Sequence, residues 1–130
     1  MFAISAVMLM ISAPAVIASP VDGNWALSDV VLRIFDCQTL VCGKVVWTKD
    51  PQTRGRDCGR TVVWGLSQTD PKTWSGGSIY DPNDGTTYGL SATLAPDGTL
   101  HARIYRGVSL FGKTKILRKV APKSLDGWCA

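Results

Sequence analysis

The sequence contains no glutamate and a single histidine, so two of the side chains that most often act as general bases are scarce. All ten acidic residues are aspartates, and 14 Lys and Arg residues give a formal net charge of +4. A Gly-x-Ser-x-Gly motif, which positions the serine of many hydrolases, is also missing. We therefore expect no enzymatic activity, no catalytic residue and no cofactor.

Positive charge is missing from the start of the chain, where residues 1–18 are all apolar or small. Val16 and Ala18 are the small residues that a signal peptidase accepts, which predicts cleavage before Ser19. We expect a signal peptide at 1–18, a single domain at 19–130 and export, with the periplasm favoured over the medium. A start codon placed too far downstream would explain the missing charge. An uncleaved membrane anchor is the alternative.

The sequence also lacks any stretch with a sustained helical period. Short β-type segments instead recur about every ten residues, separated by Gly, Pro and Asp-Gly turns. The predicted strands are residues 24–27, 30–35, 43–49, 61–66, 74–80, 86–94, 100–106 and 113–120. This pattern predicts an all-β antiparallel barrel of about eight strands, with a long irregular polar loop at 50–59.

Alternation along these strands predicts which side chains share a face. The groups it defines are Val30 with Leu32 and Ile34, Val45 with Trp47, Val62 with Trp64 and Leu66, Tyr88 with Leu90, Ala92 and Leu94, Leu100 with Ala102 and Ile104, and Thr114 with Ile116 and Val120, which lie opposite Lys113, Lys115 and Lys119. One face of each strand is therefore expected to be buried and the other solvated.

Cysteine is present in an even number, at Cys37, Cys42, Cys58 and Cys129, which predicts two disulfides in a short exported chain. Three pairings are compatible with four cysteines. A bridge between Cys37 and Cys42 would clamp a hairpin across a four-residue turn at 38–41. That pairing leaves Cys58 to bond with Cys129 and to close a long loop.

The order of several short motifs resembles a family of exported bacterial proteins called domain of unknown function 2147. The motifs are Gly23-Asn24-Trp25, Cys42-Gly43-Lys44-Val45-Val46-Trp47, Lys49-Asp50-Pro51, Trp74-Ser75-Gly76-Gly77, Ile79-Tyr80-Asp81-Pro82, Asp84-Gly85-Thr86-Thr87-Tyr88 and Leu110-Phe111-Gly112-Lys113-Thr114. The resemblance implies a small lipocalin-like barrel without an established activity. The family usually has a tryptophan in its last strand, whereas this chain reads Thr114-Lys115-Ile116-Leu117-Arg118.

Aromatic residues supply the candidate binding site, because five tryptophans are many for a small domain and indoles are common in ligand pockets. An eight-stranded barrel is wide enough for one small ligand. We expect a small apolar or amphipathic ligand and place Trp25, Trp47, Trp64, Tyr88 and Arg103 at or near its cavity. The same tryptophans also fit a packed core.

Three other hypotheses involve charged side chains. The basic stretches at 54–60 and 113–123 are candidates for contact with an anionic glycolipid or a protein partner of the cell envelope. Asp81 and Asp84 are candidates for acid–base catalysis or calcium binding, but a tight turn explains them better. A metal site of cysteines with His101 lacks zinc-ribbon spacing, so we expect none. Export argues against nucleic-acid binding.

Overall fold

The structure is a computed structural model that describes residues 3, 5–8, 20–121, 128 and 129. The predicted cleavage site between Ala18 and Ser19 lies outside the described residues, and so does most of the predicted signal peptide. Within the described part of the chain, no helix is long and apolar enough to cross a bilayer.

Eight antiparallel strands form a closed barrel in which neighbours in sequence are neighbours in the sheet. The strands are β1 Gly23–Leu27, β2 Val30–Cys37, β3 Leu40–Thr48, β4 Thr61–Asp70, β5 Thr73–Asp81, β6 Thr86–Leu94, β7 Leu100–Tyr105 and β8 Lys113–Lys119. All the predicted strands are present, and the predicted fold class is confirmed. Short β-type segments joined by tight turns produce this simple up-and-down order.

The seam that closes the barrel is short. β1 pairs with β8 through Trp25↔Lys119 and Ala26↔Arg118, and the Val120 N–H donates to the Asn24 carbonyl over 2.9 Å. Every other neighbouring pair of strands shares more of its length, as between β1 and β2 or β7 and β8. The closure therefore depends on the C-terminal end of β8.

The cysteines form two disulfides, Cys37–Cys42 and Cys58–Cys129, which confirms the predicted pairing. The turn between the first pair is shorter than predicted, because β2 and β3 continue to the Cys37↔Leu40 pair and leave a turn of Gln38 and Thr39. The hairpin is therefore tighter than the sequence indicated.

The segment predicted as an irregular loop at 50–59 contains a 3₁₀ turn, Pro51–Thr53, and a short helix α1, Arg54–Asp57. The Asp50 side chain accepts a hydrogen bond from the Gln52 backbone over 2.9 Å and so caps the turn. The prediction of an irregular loop is therefore wrong for most of its length, because Asp50 caps the 3₁₀ turn and Pro51 occupies its first position.

A register shift in the sheet reverses one of the predicted faces. Between β2 and β3, Leu32 pairs with Val45 but Val31 pairs with Trp47, so Val46 is an extra residue in a β-bulge. The bulge turns Trp47 to the outer face, and Val45 stays inside. Regular alternation without a bulge predicts that Val45 and Trp47 share a face.

A second reversal occurs in the last strand. Leu117 pairs with the buried Leu100, and Lys115 pairs with the buried Ala102, so β8 turns Leu117 and its lysines inward. Ile116 instead lies on the outer face and is 51% exposed. The predicted arrangement of this strand is wrong, because pairing with β7 determines which side chains of β8 face inward. The inward lysines are tolerated because their long side chains can reach water at the end of the barrel.

The two ends of the barrel differ. One end is filled by apolar side chains around Val21, Trp25 and Trp74, with a residual apolar void of about 30 Å³. The other end, which we call the mouth, is bordered by the β1–β2 turn, α1, the β5–β6 turn and the residues between β7 and β8. The mouth therefore has room for a ligand site, whereas the filled end does not.

Candidate functional site

A cavity of about 580 Å³ opens at the mouth and reaches down to the apolar core. Its floor is built from inward-facing aliphatic side chains of five strands: Leu27, Val30, Leu32, Val45, Ile79 and Ile104. Volumes of 300–1,000 Å³ with mostly apolar walls are typical of small-molecule sites. The cavity can therefore accommodate an apolar group of substantial size.

The rim of this cavity carries one basic segment and three aspartates. Arg106, Lys113 and Lys115 border it between the end of β7 and the start of β8. Asp29, Asp57 and Asp81 border it from the β1–β2 turn, α1 and β5. Because the three cations are adjacent to one another, an anionic ligand group would be drawn to that segment of the rim.

Two of the three rim aspartates have local hydrogen-bond partners. Asp57 forms a bidentate interaction with Arg56, with distances of 2.6 Å from Nε to Oδ1 and 2.9 Å from Nη2 to Oδ2. Arg56 also donates to the Asn83 side chain over 3.0 Å. Asp81 accepts a hydrogen bond from the Asn83 backbone over 2.8 Å. Two of the rim carboxylates are thus engaged in holding the loops.

One tyrosine lies between the charged rim and the apolar floor. Tyr88 lines the cavity, donates its hydroxyl hydrogen to Asp84 and lies beneath the Arg106 guanidinium, with 5.4 Å from Cζ to the ring centre. Arg106 also donates to Thr86 Oγ1 over 3.1 Å. The Tyr88 ring is therefore fixed between a carboxylate and a guanidinium.

The hydrogen bond between Tyr88 and Asp84 shifts both titrations. It lowers the pKa of Asp84 below its ordinary value, with help from the Thr86 backbone N–H, which donates over 2.8 Å. It also raises the pKa of Tyr88 above its ordinary value. The charged carboxylate and the neutral phenol are both favoured, so this pair orients a wall of the mouth across the neutral pH range.

Of the five residues predicted at the cavity, Tyr88 lines it directly. Trp25 faces inward but is packed in the closed end, where Nε1 donates to the Val21 carbonyl over 2.8 Å. Trp64 pairs with Ser78 on the outer face and is 39% exposed. The prediction of a tryptophan-lined pocket is therefore wrong for Trp64, because its neighbour Val63 points inward.

The remaining two predicted residues also lie away from the cavity lining. Trp47 faces outward because of the bulge described above and pairs with Trp128. Arg103 also faces outward, where Nη1 donates to Thr114 Oγ1 over 3.2 Å and Nη2 donates to the Leu110 carbonyl over 3.1 Å. Its neighbours Ala102 and Ile104 face the interior, so its position follows from alternation within β7.

The other candidate residues from the sequence, Asp81, Asp84 and His101, make local hydrogen bonds. Asp81 accepts the Gly85 N–H through its backbone carbonyl over 2.8 Å, and Asp84 accepts the Thr86 N–H, so both belong to the β5–β6 turn. His101 lies on the outer face beside Thr99 Oγ1, at 3.2 Å. Among the described residues no His, Cys and Asp side chains are grouped as a metal ion would require.

The inward lysines are the feature that sequence reasoning missed. Lys113 and Lys115 line the cavity, although alternation assigned them to the wet face of β8. Pairing Leu100 with Leu117 would have revealed their position. Both leucines are buried, and Lys113, Lys115 and Leu117 share a face because they are spaced two positions apart along the strand.

The fold and the mouth together define an eight-stranded lipocalin-like barrel. The chain belongs to the bacterial family described as "Uncharacterized protein conserved in bacteria (DUF2147)", whose model matches residues 23–119. This match confirms the family resemblance seen in the sequence. No curated protein matches the chain.

One solved structure shares the architecture. Protein HP1028 from the human pathogen Helicobacter pylori, which belongs to the lipocalin family, superposes with a TM-score of 0.68. The match covers 78% of this chain and 84% of that chain, at 16% sequence identity. At this identity the similarity shows the fold and carries no information on the ligand.

Proposed function

We propose that the protein binds one anionic amphiphile, an aliphatic chain ending in a carboxylate or phosphate, without changing it chemically. The observation that carries this proposal is the combination of an aliphatic floor with Lys113 and Lys115 on the same wall of one cavity. Burying an aliphatic chain contributes about 0.8 kcal/mol per CH₂ group. The lysines would orient the head group and discriminate against neutral ligands.

The head group is expected on the β7–β8 side of the mouth. Arg106 adds a third positive charge there, and Asp29, Asp57 and Asp81 border the rest of the rim. An anionic head placed near Asp57 or Asp81 would be repelled, which gives the ligand one orientation.

The other sequence hypothesis, contact with an envelope component through the arginines at 54–60, has less support. Arg56 is paired with Asp57, and the Arg60 guanidinium stacks on the Tyr80 ring at 4.5 Å. Arg54 donates to the Thr48 carbonyl over 3.5 Å. These side chains serve the packing of α1 against the barrel, so they do not form a free basic patch.

Displacement of a dansyl-labelled undecanoic acid by dodecanoate and by dodecanol tests the proposal. We expect dodecanoate to bind more tightly than dodecanol, and Lys113→Ala/Lys115→Ala to weaken dodecanoate roughly tenfold while leaving dodecanol unchanged. The matched control is Arg118→Ala, which removes an exposed charge from the outer face of the same strand.

Two results would contradict the proposal. One is that the labelled acid does not bind to the wild-type protein. The other is that Arg118→Ala weakens dodecanoate as much as the double lysine variant does, since this would indicate a general charge effect outside the cavity. Circular dichroism and thermal unfolding of each variant establish that the barrel is intact.

A further inference from the structure

Between β7 and β8 the chain exposes a group of large apolar side chains. In this segment, residues 106–112, which we call the mouth loop, Val108 is 55% exposed, and Leu110 and Phe111 are each 79% exposed. These are the most exposed large apolar side chains between residues 20 and 121. Scattered single apolar residues on a surface need no explanation, but three within four positions do.

The mouth loop is held in place by the barrel. Gly112 packs directly against Ile104 and Tyr105, where an added Cβ would overlap the Ile104 carbonyl. Arg103 bonds the Leu110 carbonyl from the outer face, and the Phe111 N–H donates to the Val108 carbonyl over 3.2 Å. The backbone is therefore fixed with its apolar side chains turned to water, so docking would require little ordering of the chain.

Basic residues flank the mouth loop on both strands. From residue 98 to residue 121 the sequence contains no acidic residue. Of the six Lys and Arg residues in this stretch, four lie in or beside the loop, namely Arg103, Arg106, Lys113 and Lys115. The other two, Arg118 and Lys119, pair with β1 farther from the mouth, and the aspartates of the rim belong to other segments of the mouth. Lys113 and Lys115, directly after the loop, have exposed side chains at the rim. An apolar tip with a basic surround complements a surface that is apolar inside and anionic outside.

We propose that the mouth loop docks the protein onto an anionic lipid bilayer, with Val108, Leu110 and Phe111 inserted at the level of the head groups. Interfacial segments of membrane-binding proteins combine these features, with apolar side chains on one side and Lys or Arg beside them. Each cation near an anionic surface adds to the attraction, which reinforces shallow insertion.

Docking would place the cavity against the membrane, because Phe111 and Gly112 also border its mouth. An amphiphile leaving the bilayer would then enter the barrel without crossing bulk water. The inference goes beyond ligand binding and does not depend on it, since an empty barrel exposes the same loop.

Flotation with lipid vesicles tests the inference. The protein, at physiological salt, is mixed with vesicles of phosphatidylglycerol and phosphatidylcholine, or of phosphatidylcholine alone. We expect flotation with the anionic vesicles, at least tenfold weaker flotation with the neutral vesicles, and loss of binding at 1 M salt. The variant Val108→Ser/Leu110→Ser should reduce binding to anionic vesicles roughly tenfold or more.

The matched control is Leu40→Ser, which removes an exposed apolar side chain, 39% exposed, from the β2–β3 hairpin at the opposite end. It should float like the wild-type protein. Val108 and Leu110 do not line the cavity, so Val108→Ser/Leu110→Ser should still bind the labelled undecanoic acid in solution. This measurement separates failure of docking from failure of ligand binding.

Three outcomes would overturn the inference. The wild-type protein does not float with anionic vesicles, or Leu40→Ser weakens flotation as much as the loop variant does. The third is sedimentation of the wild-type protein as a dimer without flotation, with Val108→Ser/Leu110→Ser monomeric. That result would make the mouth loop a contact between two copies.

Discussion

At the scale of single residues, Tyr88 joins the apolar floor of the mouth to its charged rim. Its ring borders the cavity, its hydroxyl donates to Asp84, and Arg106 lies over its face. The sequence indicates that Asp84 and Tyr88 lie close together, because both belong to one hairpin. The contact with Arg106 depends on the pairing of β6 with β7 and has no local signature in the sequence.

The shared hydrogen bond gives the mouth a defined response to pH. The lowered pKa of Asp84 adds stability above the pKa of an unfolded aspartate, and this contribution is lost as the pH falls through the folded value. The raised pKa of Tyr88 adds stability below the pKa of an unfolded tyrosine, and it is lost as the pH rises through the folded value.

Replacing Tyr88 with Phe should raise the pKa of Asp84 toward its ordinary value, because the principal hydrogen bond to the carboxylate is lost. Titration of side-chain carboxyl carbons by NMR measures this change. Asp97 is an internal control, since hydrogen bonds from Thr99 lower its pKa independently. An unchanged pKa of Asp84 in the variant would contradict the assignment.

Gly77 shows how closely the barrel wall is packed. A Cβ at this position would lie 2.6 Å from Cγ and 2.7 Å from Cδ2 of Leu66. We expect Gly77→Ala to lower the free energy of unfolding by about 1–3 kcal/mol. Gly55→Ala is the control, because a Cβ there meets nothing within 4 Å and alanine favours α1. Equal urea midpoints for both variants would refute this account.

At the scale of elements, the period of two predicted every strand, but it could not predict where the period breaks. Bulges such as that at Val46 change the parity without changing the composition of a strand. Trp47 was therefore assigned to the wrong face. The inward position of the β8 lysines was missed for a related reason, since long charged side chains at the end of a barrel can reach water from either face of the strand.

The two disulfides should differ in their effect on stability. Cys58 and Cys129 are separated by 71 positions, whereas Cys37 and Cys42 are separated by 5. In the chain-entropy model the longer loop adds about 2 kcal/mol more stabilisation. Urea unfolding of Cys58→Ser/Cys129→Ser and of Cys37→Ser/Cys42→Ser compares them directly. A larger loss from the hairpin pair would show that loop entropy does not determine the difference between the two bridges.

At the scale of the whole molecule, the sequence predicted the fold class, the family and the disulfides, because all three depend on patterns along the chain. The floor of the mouth is different, since it gathers aliphatic side chains from five strands. Each of these residues looks like an ordinary core residue in isolation. The cavity exists because loop side chains do not fill the mouth as Trp25 and Trp74 fill the other end.

We propose that the protein is exported, which the two disulfides support because such bonds persist in oxidising compartments. The exported form should begin at Ser19, as measured by intact mass of the periplasmic fraction. Ala18→Arg should block processing, since the peptidase pocket accepts small residues, and Ser19→Ala should be processed normally. Recovery of the full-length chain from the membrane fraction would favour the anchor instead.

The short seam between β1 and β8 makes the barrel's stability uneven. Trp25 and Ala26 provide the strand pairs to β8, and among the described residues β1 does not pair with β8 from Lys113 to Ile116, where β7 is its paired neighbour. Native-state hydrogen exchange should therefore detect the lowest opening free energy in β8 and the highest in β4 and β5. Because the unpaired part of the seam begins at the mouth, local unfolding would widen the same opening through which a ligand enters.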